Sequence, residues 1–270
     1  MLLPKVNFVN ISLSLEIDQI YDFLFQNKWG WGKYIIKKHP KIKKVYSIKG
    51  EDNQIKFLRK YIVDYRKSHE SSIEDSKKRY QKAWRDKEKD YFELLQDIMS
   101  AKWPRDRRNM KAMVSINPIC PRFINDWSFS IFYKYKKIED AMEIIMHESC
   151  HFLYFEKWKK VFPNAKNKTF DSPYIEWHLS EILAPIILND PKIQRLLKKK
   201  ADFYEEHKKI HIGKKSLPKH FELLYKNHIK KESSFDNFLR EAYSEIKRHE
   251  NKFVGLRVRT DSGLRKQACA

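Results

Sequence analysis

Between residues 127 and 158 the apolar pattern of this chain changes period, and that change limits the folds open to it. Trp127, Phe129, Ile131, Tyr133 and Tyr135 alternate with Ser128, Ser130, Phe132 and Lys134, the period of two expected of a strand. From Ile138 the period becomes helical: Ile138, Met142, Ile145, Phe152 and Phe155 lie near one stripe of a helix running to about Trp158. Phe162-Pro163-Asn164-Ala165 ends it. Ala112 to Ile116 read as a second strand, and Asn117-Pro118 and Cys120-Pro121 break the chain after it into a turn or edge segment. The expectation is an α+β, mostly helical protein, with a small sheet at about 111–135 packed on a helix at about 138–158.

The flanking text is helical. In SLEIDQIYDFLFQN, residues 14–27, Ile17, Ile20, Tyr21, Leu24 and Phe25 fall at helical spacing, with Ser14 as N-cap. Trp29-Gly30-Trp31-Gly32 and a basic connector follow. From about 53 to 100, Tyr80, Trp84, Tyr91, Leu94, Leu95 and Ile98 mark a packing seam on one or two long helices, a hairpin broken near Ser71-Ser72. A helix is predicted over about 172–188, capped by Ser172 with Pro173 in its first position. Pro185 cannot donate to the Glu181 carbonyl and is expected to bend or end it near Ala184. The organisation read from the sequence is a helical N-terminal region at 1–100, a catalytic core with C-terminal helices at 101–250, and a tail without clear period at 251–270.

The 270 residues carry a formal net charge of +21, a surface that attracts polyanions. The cations are scattered in short clusters, such as Lys43-Lys44, Lys157 to Lys160 and Lys198 to Lys200, so no single stripe dominates. Cys120, Cys150 and Cys269 are odd in number and at no framework spacing, which points to a reducing compartment. No leader-like N-terminus and no membrane-length apolar run is evident, so the expected location is cytoplasmic, with no membrane span.

Chemistry concentrates in IIMHESCHFL, residues 144–153. Residues four apart on a helix project from the same face one turn apart, so His147 and His151 can offer ring nitrogens to one zinc ion at about 2.0–2.1 Å. Glu148 is rotated by roughly 100° around the helix. It can hold a metal-activated water and take its proton.

His147-Glu148-Ser149-Cys150-His151 resembles the HExxH signature of the zincin metallopeptidases. The text Trp177-His178-Leu179-Ser180-Glu181-Ile182-Leu183-Ala184 resembles the W-x-x-E-x-x-A ligand helix of the gluzincin, or thermolysin-like, branch, with one extra residue between tryptophan and glutamate. The likeness covers about 127–188. It implies a Zn2+-dependent metalloendopeptidase acting on peptide or protein substrates, with His147, His151 and Glu181 as metal ligands and Glu148 as the catalytic base. It also implies that the strand at 127–135 is the edge strand on which an extended substrate pairs, and that a downstream Tyr or His steadies the oxyanion, for which Tyr225, His228 and Tyr243 are available. His178 and Glu176 are rival third ligands, and a histidine there shifts the likeness toward SprT-type, DNA-associated proteases.

The sequence departs from the pattern twice. The loop between His151 and Glu181 is longer than in thermolysin-like enzymes. Pro185 stands where those enzymes carry an aspartate supporting a ligand histidine, leaving Asp171 and Asp190 as candidates for that support. Cys150 reads as a small buried thiol. Two other readings stay open: a basic nucleic-acid-associated protein with a SprT-like or structural zinc site, and a catalytically silent zincin scaffold.

Overall fold

The computed structural model describes residues 3–25 and 30–256. Trp29, Cys269 and the tail from residue 257 therefore lie outside the described residues. The chain opens on β1 (Lys5–Asn10), followed by α1 (Leu13–Phe25), α2 (Trp31–Lys38), a 3-10 segment at Pro40–Ser47, α3 (Glu51–Ser68), α4 (Glu70–Arg85) and α5 (Glu88–Met99). Next come β2 (Asn109–Ser115), β3 (Arg122–Phe123), β4 (Ser128–Phe132) and α6 (Ile138–Val161). The C-terminal part holds α7 (Ile175–Leu188), α8 (Pro191–Leu197), α9 (Glu205–Lys209), the two-residue strands β5 (His211–Ile212) and β6 (Lys215–Ser216), α10 (Leu217–Lys230) and α11 (Phe235–Arg248). The fold is mostly helical with one small mixed sheet, the coarse class expected. No helix among the described residues is long and apolar enough to cross a membrane.

The chain forms two compact units, each from two stretches of sequence. One comprises Lys5–Asp86 and Asn109–Ile144; the other comprises Lys87–Arg108 and the chain from Ile145 onward. The division falls within α6.

The first unit holds the four-stranded sheet, in the order β1-β2-β4-β3. β1 pairs in parallel with β2 from Lys5↔Asn109 to Asn10↔Val114, and β2 with β4 from Lys111↔Ser128 to Ser115↔Phe132. β3 is antiparallel to β4, with Arg122 opposite Phe129. β4 therefore lies between two neighbours over Ser128–Phe129. This corrects the expectation of an edge strand for substrate pairing: its outer side there is already taken. All five of its residues are buried. The serines of the alternating pattern face protein, since Gln19 Nε2 on α1 donates to Ser130 Oγ at 3.0 Å. A buried hydroxyl needs such a partner.

Local capping also departs from expectation. α1 starts one residue after Ser12, whose hydroxyl accepts from Leu15 N at 3.3 Å, so Ser12 rather than Ser14 caps it. Glu16, in the first turn and fully buried, accepts from Ser115 Oγ (2.6 Å) and Ile116 N (2.8 Å) beyond the end of β2. Arg66 on α3 closes over it, Nε donating to Glu16 at 2.6 Å and Nη2 to the Ile11 carbonyl at 2.8 Å. The break between α3 and α4 falls at His69, two residues before Ser71-Ser72. The region from 51 to 99 is three helices rather than one or two, and the expected seam is core: Tyr80, Trp84, Tyr91 and Leu95 are all buried.

The second unit is built around α7. Every residue from Ile175 to Leu188 except Glu176 is buried, as expected of a helix that is apolar all round. α10 and α11 pack against it. The helix starts at Ile175, not at Pro173, and it runs through Pro185 to Leu188. Pro185 removes one ladder bond, yet the helix continues. Asn189 N bonds to the Pro185 carbonyl at 2.9 Å, and burial of Ile186, Ile187 and Leu188 offsets the loss. Tyr91 on α5 donates its hydroxyl to the Met146 carbonyl of α6, and Lys157 Nζ reaches the Ser100 carbonyl at 3.0 Å. Together these fix α6 beside the end of α5.

Candidate metal centre

His147 and His151 sit one turn apart on α6, inside the second unit. Their rings meet edge to face with centroids 4.7 Å apart. His151 stacks on Phe155 at 5.8 Å, and Phe155 stacks on Phe170 at 4.3 Å, so the apolar stripe of α6 holds the second ring in place. Glu181 projects from α7 to meet both. His147 Nε2 lies 3.0 Å from His151 Nε2 and 3.1 Å from Glu181 Oε2, and His151 Nε2 lies 3.4 Å from Glu181 Oε1.

This triangle can be compared with what a zinc ion requires. Tetrahedral coordination with bonds of about 2.0–2.1 Å places neighbouring donor atoms about 3.3 Å apart. The separations from His147 Nε2, 3.0 and 3.1 Å, fall a little under that edge, while the 3.4 Å contact of His151 is to the other carboxylate oxygen. Two imidazoles and a carboxylate are also donors that zinc accepts. Among the described residues, these three form the set of acidic, histidine or cysteine side chains whose donor atoms come close enough to share one ion, all within 4.8 Å.

Burial is uneven across the site. The side chains of His151 and Glu181 are 0% exposed and that of His147 is 14% exposed, so His147 is the member of the cluster nearest to solvent. Glu148, the next residue on α6, is buried at 3%. A lone carboxylate at Glu181 in such surroundings is costly unless paired, and the two rings, or an ion between them, offset that cost.

The rival ligands are engaged elsewhere. The Tyr243 hydroxyl donates to Glu176 Oε1 at 2.7 Å. His178, fully buried, places Nδ1 3.0 Å from His207 Nε2 on α9. Burial pushes His207 down to about 4, with the Glu181 charge pulling the other way. His207 gave no signal in the sequence, as one histidine in the charged run Glu205-Glu206-His207-Lys208-Lys209.

Of the suggested oxyanion donors, Tyr243 is bonded to Glu176, and Tyr225 donates to Asp190 Oδ2 at 3.2 Å. The His228 ring lies 5.1 Å from that of Phe238, between α10 and α11. All three hold helices together in the geometry described. Asp190 is likewise occupied: it caps α8 by accepting from Lys192 N at 2.9 Å, besides holding Tyr225. Cys120 and Cys150 are buried thiols outside any disulfide.

Comparison with family models, with curated proteins and with solved structures finds no match to the chain.

Proposed function

We propose that this chain is a zinc-dependent metallopeptidase of the gluzincin type, with His147, His151 and Glu181 as ligands and Glu148 as the catalytic base. The observation that carries the reading is the donor cluster between an HExxH helix and a glutamate from a second helix: the two ring Nε2 atoms lie 3.0 Å apart, and the two Glu181 oxygens lie 3.1 Å from His147 and 3.4 Å from His151. Zinc bound there supplies a Lewis acid and a water whose pKa falls to about 7. The chain's own part is to hold and to shuttle. His151 and Glu181 are immobilised by burial, so the geometry is set before substrate arrives. The Glu148 carboxylate accepts the proton of the attacking water and delivers it to the leaving amine, the general acid–base role its rotation on α6 allows.

The substrate in this reading is a peptide or protein approaching from the side of His147, the partly exposed member of the cluster. The setting is the cytoplasm, where the buried thiols of Cys120 and Cys150 stay reduced.

The decisive experiment measures zinc stoichiometry and peptide hydrolysis side by side in wild type and Glu148→Gln. The reading requires one zinc per chain in both proteins, with turnover of an unstructured protein substrate lost in the variant. Zinc at full stoichiometry with no hydrolysis by wild type points instead to a silent scaffold, and equal hydrolysis by both proteins rejects Glu148 as the base.

A further inference from the structure

One cleft of the first unit is lined by cations and hydroxyls and shares no residue with the zinc-type donors. His69, Ser72, Ser76 and Arg79 recur at spacings of three and four, so they form one stripe along α4 and the residue before it. Facing them is Tyr133–Lys136, the segment that leaves β4 for α6. The space between is about 200 Å³, ample for a small tetrahedral anion.

Three formal cations, Arg79, Lys134 and Lys136, line this space together with two serine hydroxyls, and no carboxylate does. Among the described residues, Ser72, Ser76, Lys134 and Lys136 make no side-chain hydrogen bond or ion pair. Lys134 and Lys136 are exposed, so these are solvated groups ready to exchange water for a ligand.

The walls are fixed in advance. The Tyr80 hydroxyl is shared between the carbonyls of Phe132 (3.0 Å) and Tyr133 (2.8 Å) and accepts from Tyr135 N at 3.2 Å. Arg79 Nη2 donates to the Tyr135 carbonyl at 2.5 Å. The Tyr133 hydroxyl meets that of Tyr65 at 2.9 Å. Binding at such a cleft orders few groups, so little of the interaction is spent on immobilisation.

We propose that this cleft binds a phosphate group, either free or carried on a nucleic-acid backbone. A phosphate brings between one and two negative charges and several strong acceptor oxygens, matching a cation-lined wall interleaved with hydroxyl donors. Each lysine or arginine contact is then a charge-assisted hydrogen bond, roughly twice as strong as a neutral one. The net charge of +21 raises the local concentration of any such anion. The inference stands apart from the peptidase reading, because none of the cleft residues belongs to the donor triangle.

The test titrates the full chain by calorimetry with inorganic phosphate and, separately, with an oligothymidylate. It compares wild type, Lys134→Gln/Lys136→Gln, and the charge-matched control Lys43→Gln/Lys44→Gln, whose lysines are exposed on the 3-10 segment. Saturable binding by wild type is expected for at least one probe, weakened about tenfold or more in the cleft variant and changed by no more than about twofold in the control. If the phosphate is that of a nucleic-acid backbone, the oligonucleotide shows the loss and its salt slope falls by roughly two in the cleft variant. If it is a free phosphate, the loss appears with inorganic phosphate alone. The proposal is overturned if neither probe saturates, or if the two double variants lose affinity equally, because binding would then belong to the basic surface as a whole.

Discussion

Glu181 Oε2 lies 3.1 Å from His147 Nε2, joining α7 to α6 through a carboxylate and an imidazole. A buried carboxylate in contact with two imidazoles is a donor set that zinc accepts. If the proposed site holds zinc, Glu181→Ala should lower its affinity by about a hundredfold or more, since it removes one of the three proposed ligands. His178→Ala should leave zinc stoichiometry unchanged, its Nδ1 being turned to His207. Metal analysis after dialysis against a weak chelator reads both. Stoichiometric zinc in Glu181→Ala would reject the assignment.

Glu148→Gln keeps the size and burial of the side chain and removes its basicity. Hydrolysis should fall by at least about a hundredfold, the lower range for loss of a positioned general base, with zinc content and thermal midpoint close to wild type. A variant that loses its metal together with its activity would show Glu148 to be structural.

His39 predicts a pH effect in the first unit. It is buried, with Nε2 2.8 Å from the Ile116 carbonyl and Nδ1 3.0 Å from the Tyr61 hydroxyl, the arrangement of a neutral ring that donates once and accepts once. Burial holds its pKa below the ordinary 6.5; the Ile116 carbonyl opposes this, and Lys134, His69 and Lys38 reinforce it. The unfolded chain thus takes up a proton at a pH where the folded chain does not. That contribution is absent above about pH 7.5, and it lowers stability progressively as pH falls through about 6.5 toward the folded value. Denaturant midpoints from about pH 8 to about pH 5 should fall less steeply for His39→Leu than for wild type. Parallel slopes would show that other groups carry the acid sensitivity.

Arg66 and Glu16 predict a non-additive pair. Arg66→Met leaves a fully buried carboxylate without its cation and should cost about 3–5 kcal/mol. Glu16→Gln with Arg66→Met should recover part of that loss, because the charge goes with its partner. Urea unfolding of the two single variants and the double variant closes the cycle, and strict additivity would mean the contact contributes nothing.

The helix of the candidate site was legible because its signals are local. His147 and His151 declare their geometry by a spacing of four, and Ile138 to Phe155 declare the helix that carries them. Glu181 came from its tryptophan and alanine neighbours. What the sequence hid depends on partners distant in the chain. β1 carries the short text KVNFVN, which gains meaning only from pairing with Met110 to Val114. Ser130 shows its buried setting only through Gln19 on α1, which donates to its hydroxyl. Pro185 has a helix-breaking propensity of about 3 kcal/mol, which the apolar neighbours of a fully buried turn outweigh. The edge position for β4 is what the family likeness implies, and β3, only two residues long, leaves no periodic trace in the sequence to oppose it.

The interleaving of the two units has a consequence for how the chain comes off the ribosome. β1 is made first but waits for β2, and the α5 stretch of the other unit is translated between them. Neither unit can be completed from one uninterrupted piece of nascent polypeptide. Fragments cut at Asp86 or at Arg108 should each expose an orphan strand or helix, so early termination products are expected to bind chaperones rather than fold.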